Sequence, residues 1–224
     1  MKIGILGSGV VGQTLGAKLA ARGHAVVLGT RSPSELDGKR GQGQTSLGEW
    51  LGSAGANARV GTFADAAAHG EVVINATSGM VSLDALRMAG AGLAGKILID
   101  AANPLDFSKG MPPTLTVCND DSLGEQIQRA FPEVRVVKAL NTLTAPLMVD
   151  PSLVGGGEHD LFICGDDAEA KRQVTEWLRD WFGWRHVVDV GMIEAARGTE
   201  MMLPVWIRLW GAFGTPMFNY HIVR

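Results

Sequence analysis

Cysteine and tyrosine are scarce in this sequence, and each scarcity excludes a class of protein. The two cysteines, Cys118 and Cys164, stand apart in a chain of 224 residues, without a Cys-x-x-Cys pair or neighbouring histidines. This excludes a disulfide-stapled scaffold and a structural zinc site, and we expect no metal centre. The single tyrosine, Tyr220, is followed four positions later by Arg224. The short-chain dehydrogenases are therefore excluded, because their chemistry needs a Tyr-x-x-x-Lys pair.

Long apolar runs and excess charge are missing as well. No stretch of about 18 uncharged apolar residues occurs, so we expect no transmembrane helix. The first apolar run, residues 3–6, is shorter than the roughly 7–15 apolar residues of a secretory signal. The net charge of −3 argues against a protein that holds nucleic acid through phosphate contacts. The sequence predicts a cytoplasmic protein that acts without a membrane or a nucleic acid.

The chain does contain short apolar runs that alternate with helical segments. The strand candidates are residues 2–6, 25–29, 58–61, 71–76, 96–100, 135–139, 160–164 and 186–190. The helical candidates are residues 10–22, 46–54, 62–69, 80–91, 121–130, 167–183 and a long segment from about 192. Helix-capping signals occur at Ser46 to Glu49 and at Asp166 and Asp167. This alternation predicts an α/β fold: a Rossmann-like, doubly wound, mostly parallel sheet over residues 1–190, with a C-terminal helical tail over 191–224.

A glycine motif follows the first strand directly. Gly7-Ser8-Gly9-Val10-Val11-Gly12 is a G-x-G-x-x-G sequence that also opens a helix, and this context makes the motif specific. The first glycine allows a tight turn, the second lets backbone N–H groups approach a pyrophosphate, and the third lets helix and strand pack closely. The motif predicts a dinucleotide site at the positive end of the helix dipole.

The end of the second strand indicates which dinucleotide binds. An NAD site would place a carboxylate there for the ribose 2′-hydroxyl, but no carboxylate occurs before Glu35. Thr30 and Ser32 offer hydroxyls, and Arg31 offers a guanidinium suited to a 2′-phosphate. We therefore expect NADP(H). Lys39 and Arg40 could reach the same phosphate, although a charged loop tip is the simpler interpretation.

Polar residues that follow later strands have two interpretations each. Asn103-Pro104 could border the ligand crevice or terminate a strand in a turn. Asn141 could bond a carboxamide or cap a turn. Lys138 lies within a strand, and we expect it to pair with a carboxylate rather than to act in catalysis.

The last segment is apolar on nearly all sides. Glu194, Arg197 and Glu200 have the spacing of an ion-pair set on one helix, and Pro204 should kink or split that helix. A stripe of Trp206, Trp210 and Phe213 favours a core or a subunit interface over an acceptor pocket. We expect a homodimer.

These motifs occur together in a known family. They are G-S-G-V-V-G after the first strand, V-L-G-T-R-S after the second, I-N-A-T-S at 74–78, I-D-A-A-N-P-L at 99–105, V-K-A-L-N-T at 137–142, and D-V-G with A-R-G-T-E within 189–200. Through them the chain resembles the coenzyme F420-dependent NADP oxidoreductase family, the NADPH:deazaflavin reductases and their bacterial relatives, over essentially its whole length.

The resemblance implies an NADP-binding Rossmann fold whose acceptor lies beside the nicotinamide. It implies that Thr30, Arg31 and Ser32 hold the 2′-phosphate, that Ser8, Val10 and Val11 contact the pyrophosphate, that Ala76, Thr77 and Ser78 lie along the ribose and nicotinamide, and that Asn103, Pro104 and Asn141 border the ring. The family often has two basic residues after the second strand, whereas this chain has Arg31 followed by Ser32 and Pro33.

The expected function is an NADP(H)-dependent oxidoreductase that moves hydride between the nicotinamide and a planar acceptor such as a deazaflavin or flavin. Only about 34 residues follow the predicted sheet, so the acceptor must bind in a cleft of the nucleotide domain. Hydride transfer between two rings needs positioning more than acid–base chemistry, and we assign no catalytic residue. The alternatives are a non-catalytic NADPH sensor, or a small imine or ketone reductase completed by dimerisation.

Overall fold

The computed structural model describes residues 1–38 and 45–224. The strands in this part of the chain are β1 (Lys2–Leu6), β2 (Ala25–Thr30), β3 (Ala58–Thr62), β4 (Val72–Asn75), β5 (Ile97–Asp100), β6 (Leu105–Asp106), β7 (Thr114–Leu115), β8 (Arg135–Ala139), β9 (Asp160–Cys164) and β10 (His186–Asp189). The α-helices are α1 (Val10–Ala21), α2 (Leu47–Ala54), α3 (Phe63–His69), α4 (Ser82–Ala89), α5 (Leu123–Ala130), α6 (Ala145–Val149), α7 (Ala168–Phe182) and α8 (Ala196–Phe213). Short 3-10 turns cover Gly79–Val81, Gly90–Leu93, Pro151–Leu153, Gly155–Gly157 and Ile193–Ala195.

Eight of the strands form one sheet. Their order is β3-β2-β1-β4-β5-β8-β9-β10. The first six, β3 to β8, run parallel, and the order reverses direction between β1 and β4, as in a doubly wound fold. The predicted Rossmann-like α/β fold with a mostly parallel sheet is therefore confirmed, and the helical tail is present as α8.

The two faces of the sheet bury separate cores. Successive side chains of a strand point to opposite faces, and here Val26 and Leu28 of β2 join one cluster of buried apolar residues, whereas Val27 joins the other. The first cluster includes residues of α1, α2, α6 and α7. The second includes residues of α3, α4, α5 and the start of α8. Because both faces are covered, the strands are apolar throughout, as the sequence suggested.

One part of the sheet differs from the expected parallel arrangement. β9 runs antiparallel to β8, and β10 runs parallel to β9. The segment between β8 and β9 contains the five-residue α6 and two 3-10 turns. This segment starts at the carboxyl end of β8 and enters β9 at the same end of the strands, instead of crossing to their opposite end. β9 must therefore run antiparallel to β8. Neither α6 nor the β6–β7 hairpin was predicted from the sequence.

The helix ends confirm the predicted caps with one change. Ser46 and Glu49 form a reciprocal capping box at α2, and Asp167 caps α7 by accepting from the Ala170 N–H at 2.9 Å. Asp166, the other candidate, instead accepts from the Ile193 N–H at 2.9 Å.

Pro204 does not split the last helix, and this part of the expectation is wrong. α8 continues through Pro204 from Ala196 to Phe213. The proline lies on the exposed side of the helix, while Leu203, Trp206 and Ile207 are buried on the other side. The packing of that buried face holds the helix together across the position where the proline lacks its N–H.

Candidate functional site

The glycine motif forms the turn between β1 and α1, and each glycine has its own reason. Gly7 adopts φ +112° and lies so near the next strand that a Cβ would stand 2.5 Å from the Ala76 carbonyl oxygen. A Cβ on Gly12 would stand 1.9 Å from the Gly7 carbonyl oxygen. A Cβ on Gly9 would meet no atom of residues 1–38 and 45–224 within 4 Å. Gly7 and Gly12 are thus required by the turn and its packing, whereas Gly9 faces open space in which a ligand can approach the backbone.

The N-terminus of α1 is left available by the described side chains. Gly9 is the N-cap, no side chain caps this helix end, and no acidic residue occurs in its first turn. The loop is held from behind, because Gln13 donates to the Ser8 carbonyl oxygen at 3.1 Å and accepts from the Thr45 hydroxyl at 2.8 Å. The first N–H groups of α1, including those of Val10 and Val11, therefore form a fixed site for an anion.

Two compartments adjoin at this turn. The first has a volume of about 460 Å³ and is lined by Gly7, Ser8, Gly9, Thr30, Arg31, Phe63, Ala76, Thr77, Ser78 and Val81. Arg31 is exposed and is the one charged side chain among these lining residues. Thr30 is buried, and its hydroxyl accepts from the Ser32 N–H at 3.5 Å. The first compartment thus presents one guanidinium at the end of β2.

The second compartment has a volume of about 430 Å³. Its lining residues are Gly9, Val10, Val11, Ala76, Thr77, Ser78, Gly79, Ala101, Ala102, Asn103, Leu105 and Phe107. It shares Gly9 and Ala76 to Ser78 with the first compartment, so the two form one cleft along the carboxyl ends of β1 and β4. The side chains of this lining include hydroxyls and one amide but no carboxyl, imidazole, ammonium or guanidinium group. The compartment therefore suits an uncharged planar group.

An asparagine pair connects this compartment to β8. Asn103 donates to the Asn141 carbonyl oxygen at 2.7 Å, and Asn141 donates to the Asn103 side-chain oxygen at 3.0 Å. The Asn141 Oδ1 atom is buried and has no hydrogen-bond partner among the described residues. Leu140, directly before it, adopts φ +66°, an unfavourable conformation for a leucine that surrounding contacts must hold. Backbone strain and an unsatisfied acceptor at one point are typical of a ligand site.

The structure brings together most, but not all, of the residues expected from the sequence. Gly7, Ser8, Gly9, Val10, Val11, Thr30, Arg31, Ala76, Thr77, Ser78 and Asn103 line the cleft. The lining does not include Gly12, Ser32, Pro104 and Asn141, of which Asn141 is connected to it through its hydrogen bonds with Asn103. Lys39 and Arg40 fall outside the described residues.

Other lining residues were missed in the sequence. Ala101 and Ala102 follow β5 directly, and their position at a strand end was a usable signal. No sequence signal marked the other four, because they reach the cleft through the start of α3, a 3-10 turn and the β6–β7 hairpin. They are Phe63, Val81, Leu105 and Phe107.

Lys138 pairs with carboxylates, as predicted. It is fully buried and lies 2.8 Å from Asp100 and 2.7 Å from Glu200. Burial alone would lower the pKa of Lys138, but attraction to the two carboxylates outweighs it and raises the pKa above its usual value. The lysine therefore stays protonated.

Arg197, like Glu200, pairs outside its own helix. Arg197 contacts Glu125 of α5 at 2.6 Å, and its hydrogen bonds hold the pKa of Glu125 below the usual value. The three aromatic residues of the predicted stripe differ in exposure. Trp206 is buried, whereas Trp210 and Phe213 are 40% and 59% exposed. Trp206 stacks on Phe218, which also contacts the Phe213 ring.

Residues 1–38 and 45–224 lack both a membrane-spanning helix and a metal-binding cluster. No helix there is long and apolar enough to cross a membrane. The same residues contain no cluster of three or more histidine, cysteine or acidic side chains that could hold a metal ion.

Comparison with known proteins places the chain in a family. Residues 2–104 match the model of the family described as NADP oxidoreductase, coenzyme F420-dependent. The F420-dependent NADP reductase of Methanocaldococcus jannaschii is 30% identical over 213 residues, which are 93% of this chain and 92% of that protein. Rat metalloreductase STEAP3 is 31% identical over 210 residues. These residues are 92% of this chain, which spans 38% of that longer protein.

A solved structure is similar over both full lengths. It is the crystal structure of a protein from Arthrobacter sp. FB24, named as a candidate F420-dependent NADP reductase, with 53% identity and a TM-score of 0.94. The cleft, the glycine turn and these relatives all indicate the same family. The chain belongs to the coenzyme F420-dependent NADP oxidoreductase family and is an NADP-dependent oxidoreductase.

Proposed function

We propose that the protein moves hydride between NADP(H) and a planar redox acceptor, a deazaflavin of the F420 type before a flavin, within the cleft at the carboxyl ends of β1, β4 and β5. The observation that carries this proposal is the cleft's division. The first compartment offers a guanidinium, the N-terminus of α1 lies where the two compartments meet at Gly9, and the second compartment offers side chains without charge. NADPH, an anionic dinucleotide with an uncharged dihydronicotinamide ring, has this same division.

The residues of the first compartment fit the phosphates of NADP. Gly9 leaves room for the pyrophosphate beside the α1 N-terminus, where no described side chain forms a cap. Arg31, with the Thr30 and Ser32 hydroxyls beside it, meets the extra 2′-phosphate at the end of β2. A guanidinium suits this group because it can make two parallel hydrogen bonds to phosphate oxygens.

The residues of the second compartment fit the nicotinamide end. Asn141 Oδ1 is a buried acceptor without a partner among the described residues, and a carboxamide NH2 would satisfy it. Asn103 fixes the Asn141 side chain by accepting its amide hydrogen at 3.0 Å. When bound, NADPH supplies a hydride from its nicotinamide ring.

The protein's own contribution is orientation and exclusion of water. Asn103 and Asn141 set the rotation of the ring, while Val10, Val11, Leu105 and Phe107 provide apolar surface against the acceptor. The hydride moves from one ring to the other, and the one proton that balances reduction of the acceptor is exchanged with solvent at a ring nitrogen of that acceptor, so no side chain of the lining has to supply it. Two rings held face to face gain most of their rate from proximity.

The names of two relatives support a deazaflavin acceptor, whereas the name of a third indicates a metal ion. Two of the compared proteins carry F420-dependent NADP reductase in their names, and the rat relative is a metalloreductase. The second compartment favours a flat organic ring, because its lining lacks charged or metal-binding side chains.

The test is anaerobic mixing of the protein with NADP and reduced deazaflavin F420, followed by the absorbance of the oxidised deazaflavin. We expect rapid oxidation that depends on NADP, and none with the Gly9→Ala variant, whose added methyl group occupies the phosphate space. The proposed acceptor is wrong if the protein binds NADPH tightly but reduces chelated ferric ion or free flavin and not F420. Tight binding without transfer to any of the three would identify the non-catalytic sensor.

We also propose a homodimer. Trp210 and Phe213, which are three residues apart in the last turns of α8, form an exposed apolar surface, here called the α8 face. Exposed apolar area of this kind is typical of a subunit contact. The expected division of the chain at residue 190 and the cytoplasmic location stay predictions.

A further inference from the structure

A buried charge network extends from the cleft to α8. Lys138 on β8 lies between Asp100 of β5 and Glu200 of α8, at 2.8 Å and 2.7 Å. All three side chains are at most 2% exposed. The Glu200 carboxylate also accepts the N–H groups of Leu123 and Gly124, at 2.9 Å and 3.0 Å. The N-terminus of α5 thus stabilises the second carboxylate.

The same network holds both walls of the second compartment. Lys138 donates to the Ala102 carbonyl oxygen at 2.6 Å, and Asp100 accepts from the Ala102 N–H at 3.2 Å. Asp100 also accepts from the Asn75 amide at 2.8 Å. Asn75 in turn accepts from the hydroxyl of Thr77 at 2.7 Å. The loops after β4 and β5 are therefore fixed to one another through Asp100 and Lys138.

The cation is what permits this arrangement. Two carboxylates buried without a positive charge would each carry a desolvation penalty of several kcal/mol. Lys138 compensates both, and its own charge leaves the group at a net −1. Without Lys138 the Ala102 carbonyl would lose its donor, and the Asp100 carboxylate would lose its counter-charge. Either change moves the loop that lines the second compartment.

We propose that Lys138 is a positioning residue for the nicotinamide end of the cleft: by holding the Ala102 carbonyl and the Asp100 carboxylate, it sets the distance between the loops after β4 and β5. This inference rests on the proposed function, because it assumes that the second compartment receives the nicotinamide. It assigns to Lys138 no contact with the ligand.

Arg197 of α8, the helix that also carries Glu200, provides a matched control. Arg197 is a second cation that ties α8 to the body of the protein, through Glu125 of α5 at 2.6 Å. Neither Arg197 nor Glu125 lines the cleft. Lys138→Met and Arg197→Met both remove a cation and leave carboxylates behind. Only Lys138→Met removes a contact to the wall of the second compartment.

The experiment compares two ligands for each variant. Dissociation constants are measured for NADPH and for 2′-phospho-ADP-ribose, which lacks the nicotinamide. We expect Lys138→Met to weaken NADPH binding about tenfold, equivalent to about 1.4 kcal/mol, and to leave the affinity for the fragment within about twofold. Arg197→Met should lower the melting temperature but change both affinities by less than about twofold. A purely structural role would change both ligands alike in both variants.

Two safeguards keep the result interpretable. If Lys138→Met does not fold, the double variant Lys138→Met/Glu200→Gln takes its place. The double variant leaves one carboxylate without its cation, as Arg197→Met does, and its affinities are compared with those of Glu200→Gln alone. If the wild-type protein binds neither ligand, the proposed function fails and this inference falls with it. If the wild type binds both and Lys138→Met weakens both equally or neither, the inference alone is overturned.

Discussion

The two halves of this chain build their share of the cleft in different ways. Residues 2–104, which match the family model, form the parallel strands β1 to β5 and supply a glycine turn and the end of β2. Residues 105–224 supply β8, the reversed strands β9 and β10, and α8. In the first half the site consists of short runs of consecutive residues at strand ends, such as the glycine turn after β1 and Ala76 to Ser78 after β4. In the second half it consists of side chains that reach across the fold, as Lys138 reaches Asp100 and Glu200.

This difference shows where specificity and positioning originate. The dinucleotide contacts depend on local geometry that a short segment can encode, because a turn and a helix N-terminus suffice to hold phosphate. The acceptor compartment depends on the separation of loops that are far apart in sequence. We therefore expect substitutions in the glycine turn to weaken binding of the whole nucleotide, and substitutions in the second half to change binding of its nicotinamide end.

The largest effect is expected from a pair of substitutions in the glycine turn. Gly9→Ala should lower NADPH affinity at least about 100-fold with nearly unchanged stability, because its methyl group meets no atom of the described part of the chain within 4 Å. Gly12→Ala should destabilise the fold by about 1–3 kcal/mol, because its methyl group would stand 1.9 Å from the Gly7 carbonyl oxygen. Fluorescence titration and thermal unfolding check both. Equal losses of stability in the two variants would contradict this account.

The next effect concerns the 2′-phosphate. Arg31→Gln should weaken NADPH binding by about 1.5–3 kcal/mol, the worth of a hydrogen bond to a charged group, or roughly 10–100-fold. The affinity for NADH should stay within about twofold, because NADH lacks that phosphate. Titration of both cofactors against wild type and variant measures the selectivity. A similar loss for both cofactors would place Arg31 elsewhere in the site.

The α8 face provides a test in the second half. Replacing both Trp210 and Phe213 with serine removes large exposed apolar surface, and we expect the dimer to dissociate while the monomer stays folded. Light scattering after size-exclusion chromatography gives the mass, and circular dichroism reports the fold. A monomeric wild-type protein would refute the proposed homodimer.

The smallest effect is expected from a partly exposed ion pair near α5. Hydrogen bonds from Arg129 hold the pKa of Asp121 down to about 2. A carboxyl with a lowered folded pKa stabilises the fold above its unfolded pKa, and this contribution is lost as the pH falls through the folded value. Asp121→Asn should thus cost less than about 1 kcal/mol at neutral pH.

The acid titration of this pair identifies its origin. The difference in stability between wild type and Asp121→Asn should shrink as the pH falls from about 4 to about 2, as measured by denaturant unfolding at each pH. Asp84→Asn, which affects a more exposed pair with Arg87, serves as the control. A difference that persists at pH 2 would show that the charge of Asp121 is not its cause.

The strand positions and the glycine turn could be predicted from the sequence. Buried strands are continuous apolar runs, so the predicted bounds of β1, β8 and β9 agree with the structure, and those of the other strands in the main sheet differ by at most one residue at either end. The glycine spacing predicted the turn, because Gly7 adopts a positive φ and Gly12 lies against the Gly7 carbonyl oxygen.

The second half was less predictable, because its determinants are not local. The reversal of β9 depends on the path of the α6 segment, and no residue pattern indicates that path. Lys138 could be assigned a carboxylate partner, but not two partners from β5 and α8. The Asn103 and Asn141 side chains were separate candidates in the sequence, and only the fold brings them into contact. Phe107 reaches the cleft through a two-strand hairpin too short to recognise.

The most direct test of the central claim, that one NADP molecule spans both compartments, is a crystal structure of the protein with NADP bound. We predict the 2′-phosphate on the Arg31 guanidinium, the pyrophosphate at the N-terminus of α1, and the carboxamide within hydrogen-bonding distance of Asn141 Oδ1. The account would be contradicted by a nicotinamide ring that lies outside the compartment lined by Ala102 and Asn103.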